Sequence, residues 1–77
     1  MKEKSRWIIE CKPTPETIDR IMLPIRKRGI CVLNMTYKQK NTDLAVCEVE
    51  FELESGESDR IIKNFMRLQD VLKVNKA

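Results

Sequence analysis

The sequence predicts a two-layer α+β sandwich, in which a four-stranded antiparallel sheet carries two helices on one face. Three observations predict this fold class. Four segments alternate apolar and polar residues as strands do, two others repeat apolar residues with a helical period, and their order is βαββαβ. Each predicted helix has a single apolar stripe, which needs a sheet to cover it. The chain of 77 residues is expected to form one domain, 1–77, with an ordered core from about residue 5 to residue 74.

The first strand is predicted at residues 6–11, where Trp7, Ile9 and Cys11 share one face. The first helix follows, with Thr14 as the expected N-cap and Pro15 as the first helical residue. Its buried stripe is expected to contain the following residues: Ile18, Ile21, Met22 and Ile25.

Two further residues shape the end of this first helix. Pro24 removes one backbone donor and is expected to kink or loosen the last turn, either as a structural feature or as part of an interface. Gly29 follows a basic turn and suits the left-handed position that ends a helix.

The second strand is predicted at residues 30–39, and both of its faces carry apolar residues. Val32 lies on one face, while Leu33, Met35 and Tyr37 lie on the other, which predicts a bulge or a face covered by another subunit. After a polar turn, residues 44–53 form the clearest strand of the chain. Its apolar residues alternate with three glutamates on a wet outer face: Glu48, Glu50 and Glu52.

A break at Ser55-Gly56-Glu57 leads into a second helix, predicted from residue 57 or 58 to residue 68. Its apolar side is expected to contain the following residues: Ile61, Ile62, Phe65, Met66 and Leu68. The last strand is predicted at residues 70–74, and residues 75–77 are expected to fray. Right-handed crossovers around both helices give the ferredoxin-like topology, which places the second strand at an edge of the sheet.

Composition excludes several classes of function. The net charge of +3 is too mild for a nucleic-acid signature, and outward glutamates on the third strand would repel phosphate, so RNA binding is not expected. The chain has no histidine and no Cys-x-x-Cys motif, so no metal site is expected. Each cysteine lies in a strand pattern and is expected to pack in the core: Cys11, Cys31 and Cys47.

Catalysis and membrane insertion are not expected either. Without histidine, the chain has no Ser-His or Cys-His pair for nucleophilic catalysis. The loop before the first helix has a single cation and no glycine, so it is a poor cradle for an anion. A solvated face explains the glutamates of the third strand better than acid–base chemistry does. No apolar run approaches the roughly 20 residues that a membrane span requires. We therefore expect a non-enzymatic, cytoplasmic protein without a cofactor.

Three segments resemble a known regulatory family. Residues 26–35 read Arg-Lys-Arg-Gly-Ile-Cys-Val-Leu-Asn-Met and follow a Pro-Glu-Thr helix start at residues 15–17. Residues 65–74, Phe-Met-Arg-Leu-Gln-Asp-Val-Leu-Lys-Val, are similar to the last helix and strand of the same family. Together these segments resemble ACT domains, and most of all the short, isozyme II type of regulatory small subunit of acetolactate synthase.

The resemblance implies a homodimer that pairs through its second strands, with an amino-acid effector between the first loop of one chain and the second strand of the other. The implied effector-binding residues are Pro13, Thr14, Pro15, Glu16, Ile18, Cys31 and Val32. Among these, Ile18 and Val32 are expected to contact a branched side chain. The implied interface residues are Leu33, Asn34, Met35, Tyr37 and Leu23, for which packing in the chain's own core is an equally good reading.

The chain departs from the family at the effector loop. Valine-responsive members carry an Asn-x-Pro-Gly-like loop and an early asparagine in the second strand, and these positions fall here on Pro13, Glu16 and Cys31, so that only Pro15 matches. Glu16 adds negative charge where a carboxylate would dock, and a plain helix cap is the simpler reading of residues 14–16.

Two main hypotheses follow from this departure. The first is an activating subunit with weak or no valine feedback, which binds the large catalytic subunit of acetolactate synthase. The thiamine diphosphate chemistry of the synthase would then belong entirely to the large subunit. The second is a free-standing ACT module that binds an amino acid or another small molecule. A structural interaction domain without a ligand is a third, weaker reading.

Overall fold

The computed structural model describes residues 2–54 and 56–77 and has the predicted α+β, ferredoxin-like architecture. The elements in chain order are β1 (Lys2–Cys11), α1 (Thr17–Lys27), β2 (Cys31–Gln39), β3 (Ala45–Glu54), α2 (Glu57–Met66) and β4 (Val71–Lys76). The described strands form one antiparallel sheet in the order β2-β3-β1-β4, so β2 is an edge strand, as predicted. The predicted break at Ser55 lies outside the described residues. The next residue, Gly56, has a φ of 89° and precedes α2.

The core lies between the two central strands and the helices. Its fully buried side chains come from every second residue of β3, from the end of β1 and from the helices: Ile9, Cys11, Ile21, Ile25, Ala45, Cys47, Val49, Phe51, Ile61 and Phe65. Phe51 of β3 and Phe65 of α2 pack with ring centroids 6.4 Å apart, within the range of a favourable aromatic pair. Every second residue of β3 is therefore buried, as predicted, and the glutamates lie on the opposite, partly exposed face.

The predicted bulge in β2 is present. The pairing of β2 with β3 shifts between Val32 and Asn34, so Leu33 is the extra residue of the bulge. The shift brings Val32, Met35 and Tyr37 to the same side, where all three are partly buried against the core. The interpretation of Met35 and Tyr37 as exposed residues opposite Val32 was therefore wrong, because strict alternation does not continue across a bulge. Leu33 remains 43% exposed.

Helix α1 ends as predicted but begins later. Gly29 has a φ of 64°, its amide donates to the Arg26 carbonyl at 3.1 Å, and the Ile30 amide donates to the Ile25 carbonyl at 3.1 Å. This pair of bonds is a Schellman motif, which satisfies carbonyls at the end of the helix. Pro24 is buried inside the helix.

The predicted N-cap was wrong. Pro15 and Glu16 form a turn before α1, which is closed by the Thr17 amide donating to the Thr14 carbonyl at 3.1 Å. Glu16 occupies the N-cap position and makes no side-chain capping bond. The Thr14 hydroxyl contacts side chains instead, because tertiary partners outcompete the local cap.

Four smaller expectations need correction. Strand β1 begins at Lys2, because residues 2–5 pair with the end of β3, and β4 extends to Lys76. The end of the chain does not fray as predicted, since the Ala77 amide donates to the Arg6 carbonyl at 2.9 Å. Met66 is 66% exposed rather than buried, because it lies on the outer side of the last turn of α2.

Candidate functional site

The loop between β1 and α1 is held by the residue that precedes β4. The Lys12 amide donates to the Asp70 carbonyl at 2.8 Å, which fixes the start of the loop beside the start of β4. The Asp70 side chain then reaches α1 and forms an ion pair with Arg20. One residue from near the end of the chain therefore holds both the loop and the helix that follows it.

Asp70 Oδ2 receives three side-chain contacts from this region. Arg20 Nη1 donates to it, and the hydroxyls of Thr17 and Thr14 lie at 3.4 Å and 3.5 Å. The Asp70 side chain is only 8% exposed, whereas that of Arg20 is 48% exposed. A buried carboxylate without such partners would be strongly unfavourable, so this group depends on Arg20.

The two hydroxyls have more partners than protons. Thr17 Oγ1 lies 2.8 Å from the Lys12 carbonyl, and Thr14 Oγ1 lies 2.6 Å from Thr17 Oγ1. A hydroxyl has a single proton to donate. The shortest distances therefore favour a chain in which Thr14 donates to Thr17 and Thr17 donates to the Lys12 carbonyl. The longer contacts with Asp70 are the alternative positions of the same protons.

A groove of about 370 Å³ lies on the outer side of this loop. It is lined by Lys12, Pro13, Thr14, Thr42, Asp43 and Leu72. Leu72 is 54% exposed and forms part of its apolar lining. The groove is large enough for a small amphipathic molecule, with one cation and one carboxylate at its margin.

The predicted effector-binding residues fall at two ends of the sheet. Pro13 and Thr14 line the groove, whereas Pro15, Glu16 and Ile18 are exposed beside it. The prediction that Ile18 lies in the buried stripe of α1 was therefore wrong. Cys31 and Val32 pair with Glu52 and Phe51, at the opposite end of β3 from the loop. About seven residues of strand, or roughly 20 Å, separate these two groups within one chain. One protomer alone does not bring them together.

Two of the predicted interface residues are the more exposed apolar ones. Leu33 at the bulge of β2 and Leu23 on α1 are both exposed. Asn34 is exposed on β2, where it pairs with Glu50. The interface role of all five predicted residues stays a prediction, and the partly buried Met35 and Tyr37 now belong to the helix-facing side of β2.

The outer face of the sheet is a charged surface. Arg6 of β1 donates to Glu48 of β3 at 2.8 Å across the sheet, and this hydrogen bond raises the pKa of Arg6. Lys4 pairs with Glu52 in the strand register. Opposite charges on neighbouring strands match the predicted solvated face, because cross-strand pairs of this kind stabilise a sheet.

The cysteines divide into two environments. Cys11 and Cys47 are fully buried, and burial raises the pKa of both thiols, that of Cys47 to about 11. Cys31 is exposed, so the prediction that it packs in the core was wrong. It lies just before the bulge on an edge strand, where its side chain does not face the helices. Among the described residues, no group of three potential metal ligands comes together, and no helix has the length and apolarity to cross a membrane.

The residues that hold the loop were missed in the sequence. Asp70 was expected only to begin the last strand, and Thr17 and Arg20 had no assigned contact. They are separated from Asp70 by 53 and 50 positions, so no local spacing pattern connects them. The available signal was the position of Asp70 immediately before the last strand. In this topology the start of that strand lies beside the first loop.

Comparison with known proteins identifies the fold. Searches against protein-family models and against curated proteins found no match. Among solved structures, the ACT domain from GTP pyrophosphokinase of Chlorobium tepidum has a TM-score of 0.85, with 12% identity over 100% of both chains. At this identity the likeness shows the fold alone, which is that of the ACT domains.

Two further structures have the same fold in other contexts. The small subunit of acetolactate synthase from Thermotoga maritima has a TM-score of 0.83 and 15% identity. The match covers 96% of this chain but only 47% of that subunit, so the present chain spans about half its length. The C-terminal domain of the MgtC protein from Mycobacterium tuberculosis has a TM-score of 0.75 and 11% identity, over 96% of this chain and 84% of that domain.

Proposed function

We propose that this chain is a non-catalytic regulatory subunit of acetolactate synthase, which activates the large catalytic subunit with weak or no valine feedback. The observation that carries the proposal is an ACT fold over the full described chain with an open edge at β2. An ACT fold offers a surface for binding and conformational coupling. The choice of synthase rests on the resemblance of residues 26–35 and 65–74 and on the likeness to a synthase small subunit.

The geometry of β2 supports a dimer in this role. Gln39, at the end of β2, lies at the same end of the sheet as the loop after β1, because both Gln39 and Cys11 pair with Ala45. Antiparallel pairing of two β2 edges would place the start of one β2 beside the end of the other. That arrangement would bring the two separated groups of effector residues together across the interface, as the family resemblance implies.

The loop supports weak feedback. The amide of Thr17 already donates to Thr14, and Glu16 is exposed at the helix start with its negative charge. An effector carboxylate would therefore meet one engaged donor and a like charge. Activation would instead come from binding to the large subunit, which shifts that subunit toward its active conformation.

The test is acetolactate formation by the large subunit from the same source, with and without this chain. We expect a several-fold rise in turnover, co-elution of the two chains, and little change when valine is added. Heat-unfolded chain at the same concentration is the control for non-specific protein effects. Unchanged turnover together with no co-elution would overturn the proposal, and strong inhibition by valine would overturn its feedback part.

A second candidate function is a free-standing ACT sensor of a small molecule. The groove of about 370 Å³ beside the loop favours it, because such a site needs no second protein. A thermal-shift screen of the isolated chain against the free amino acids distinguishes the two. A saturable shift of several degrees, without any effect on the synthase, would support the sensor and argue against the subunit.

A further inference from the structure

We propose that Asp70 is a built-in carboxylate ligand of the loop between β1 and α1. Its carboxylate engages Arg20 and lies beside the hydroxyls of Thr14 and Thr17, so that it supplies from within the chain an anion that these groups would otherwise lack. The loop is thereby held in place without an effector. This inference rests on the proposed function and gives a structural cause for the absence of feedback.

The first argument is that the contacts converge. One guanidinium N–H and two hydroxyls on the loop and α1 lie near one oxygen, Asp70 Oδ2, and they belong to Arg20, Thr17 and Thr14. The backbone of Asp70 also accepts from the Lys12 amide at 2.8 Å. The same residue therefore holds the start of the loop through its main chain and the helix after the loop through its side chain.

The second argument is that the arrangement can respond to a ligand. Arg20 is about half exposed and keeps further N–H groups besides the one bound to Asp70, while the carboxylate itself is nearly buried. The threonine protons have alternative acceptors at 2.6 Å and 2.8 Å, so they can redistribute when the carboxylate moves. These are the properties of a polar cluster that can accept a different anion.

The third argument is competition. Asp70 is part of the same chain and, once the domain has folded, binds Arg20 without a loss of translational freedom. A free amino acid must displace it and also bear that loss. An intramolecular partner acts at a high effective concentration, so weak external carboxylates cannot replace it at ordinary concentrations. The wild-type loop should therefore be insensitive to them.

The test is chemical rescue of the Asp70→Ala variant in the isolated full chain. Formate supplies the carboxylate that the substitution removes, and sodium chloride at equal ionic strength is the reference. We expect Asp70→Ala to melt at a lower temperature than the wild type, and formate to restore several degrees to the variant but not to the wild type. The double variant Arg20→Met/Asp70→Ala should show no formate-dependent rise, because the cation is gone.

Asp19→Ala is the matched control, since Asp19 is an exposed acidic residue in the first turn of the same helix. It should behave like the wild type in both salts. Equal formate shifts in the wild type, Asp70→Ala and the double variant would overturn the proposal, because they would reflect a general salt effect. If Asp70→Ala is unfolded in chloride, the measurement becomes the recovery of circular dichroism with formate, and no recovery would equally overturn it.

The rescue uses no synthase, so it can fail or succeed independently of the proposed function. If the synthase is activated by the wild-type chain, Asp70→Ala should activate it several-fold less in chloride, and formate should restore the activation. If formate rescues folding but the chain has no effect on the synthase, the role of Asp70 as a built-in ligand would be supported and only the subunit proposal would be overturned.

Discussion

The two edge strands of the sheet are constrained in different ways. The start of β4 is fixed by contacts outside the sheet: the Asp70 carbonyl accepts from Lys12, the Asp70 carboxylate binds Arg20, and the Val71 amide donates to the Leu68 carbonyl at 3.1 Å. Strand β2 pairs along one side only, with β3, and carries an exposed residue, Leu33, at its bulge.

This difference separates two tasks. The β4 edge fixes the loop that a ligand would approach, so the loop is already ordered. The β2 edge presents unpaired backbone groups and an apolar side chain, which are the features that allow another chain to add to a sheet. Under the proposed function, regulation should therefore depend on what binds at β2 rather than on what binds at the loop.

The largest expected contrast is in thiol reactivity. Cys31 on β2 is exposed, whereas Cys11, which pairs with Val71 of β4, and Cys47 are buried with raised pKa values. Because the thiolate is the reactive form and burial limits access, we expect one thiol per chain to react with Ellman's reagent at least roughly a hundredfold faster than the others. Cys31→Ser should remove the fast phase. Two fast thiols would contradict the burial of β1 and β3.

Alkaline pH should weaken the core that both edges share. Burial raises the pKa of Cys47 from 9.0 to about 11, so the folded state favours the neutral thiol. Its contribution is complete below about pH 9 and is lost as the pH rises toward about 11, which corresponds to roughly 2–3 kcal/mol. Urea unfolding at about pH 8 and about pH 10.5 measures the loss. Cys47→Ala should reduce the pH dependence and Cys31→Ala should not; equal slopes in both variants would refute the assignment.

Removing one hydroxyl beside the β4 edge should lower the free energy of unfolding more than removing one on the β2 edge. Thr17 is buried, and its hydroxyl bonds to the Lys12 carbonyl and the Thr14 hydroxyl, so Thr17→Val removes two buried hydrogen bonds and should cost about 1–3 kcal/mol of unfolding free energy. Thr36→Val on β2 is the matched control, because Thr36 is exposed and the change should be within about 0.5 kcal/mol. Chemical denaturation measures both. Equal costs would show that the loop contacts contribute nothing.

The smallest expected effect concerns association. Leu33→Glu places a charge on the β2 edge and should weaken the proposed dimer by about tenfold or more, or about 1.4 kcal/mol. Leu72→Glu makes the same change on the β4 side, where 54% exposure makes it a comparable control, and should leave the dimer intact. Sedimentation at micromolar concentrations measures both. A monomeric wild-type chain, or equal weakening by both variants, would overturn pairing through β2.

The sequence was sufficient for the fold because its signals are local. Alternation in β3 and the glycine after Arg28 each depend on residues within a few positions, and both were confirmed. The stripe of α1 was confirmed at Ile21 and Ile25 but not at Ile18. The bulge in β2 was also predictable, since apolar residues changed faces at Leu33. Strict alternation counted through the bulge places Met35 and Tyr37 on the wrong side of β2.

The candidate site was less accessible because its contacts are not local. Thr14 has a good sequence signal for a cap, but the folded chain uses its hydroxyl in a cluster with Thr17 and Asp70. Only the topology places the residue before β4 beside the first loop. The roles of the predicted effector and interface residues stay predictions.

The bulge at Leu33 has a consequence for solubility. A long, regular edge strand can recruit further strands without limit, which is the geometry that leads to fibrils. Here the register shift between Val32 and Asn34 interrupts the edge, so only residues 34–39 offer a continuous ladder to a neighbour. Such a short edge favours a single closed pairing over open-ended stacking, so we expect the bulge in β2 to limit aggregation of the chain.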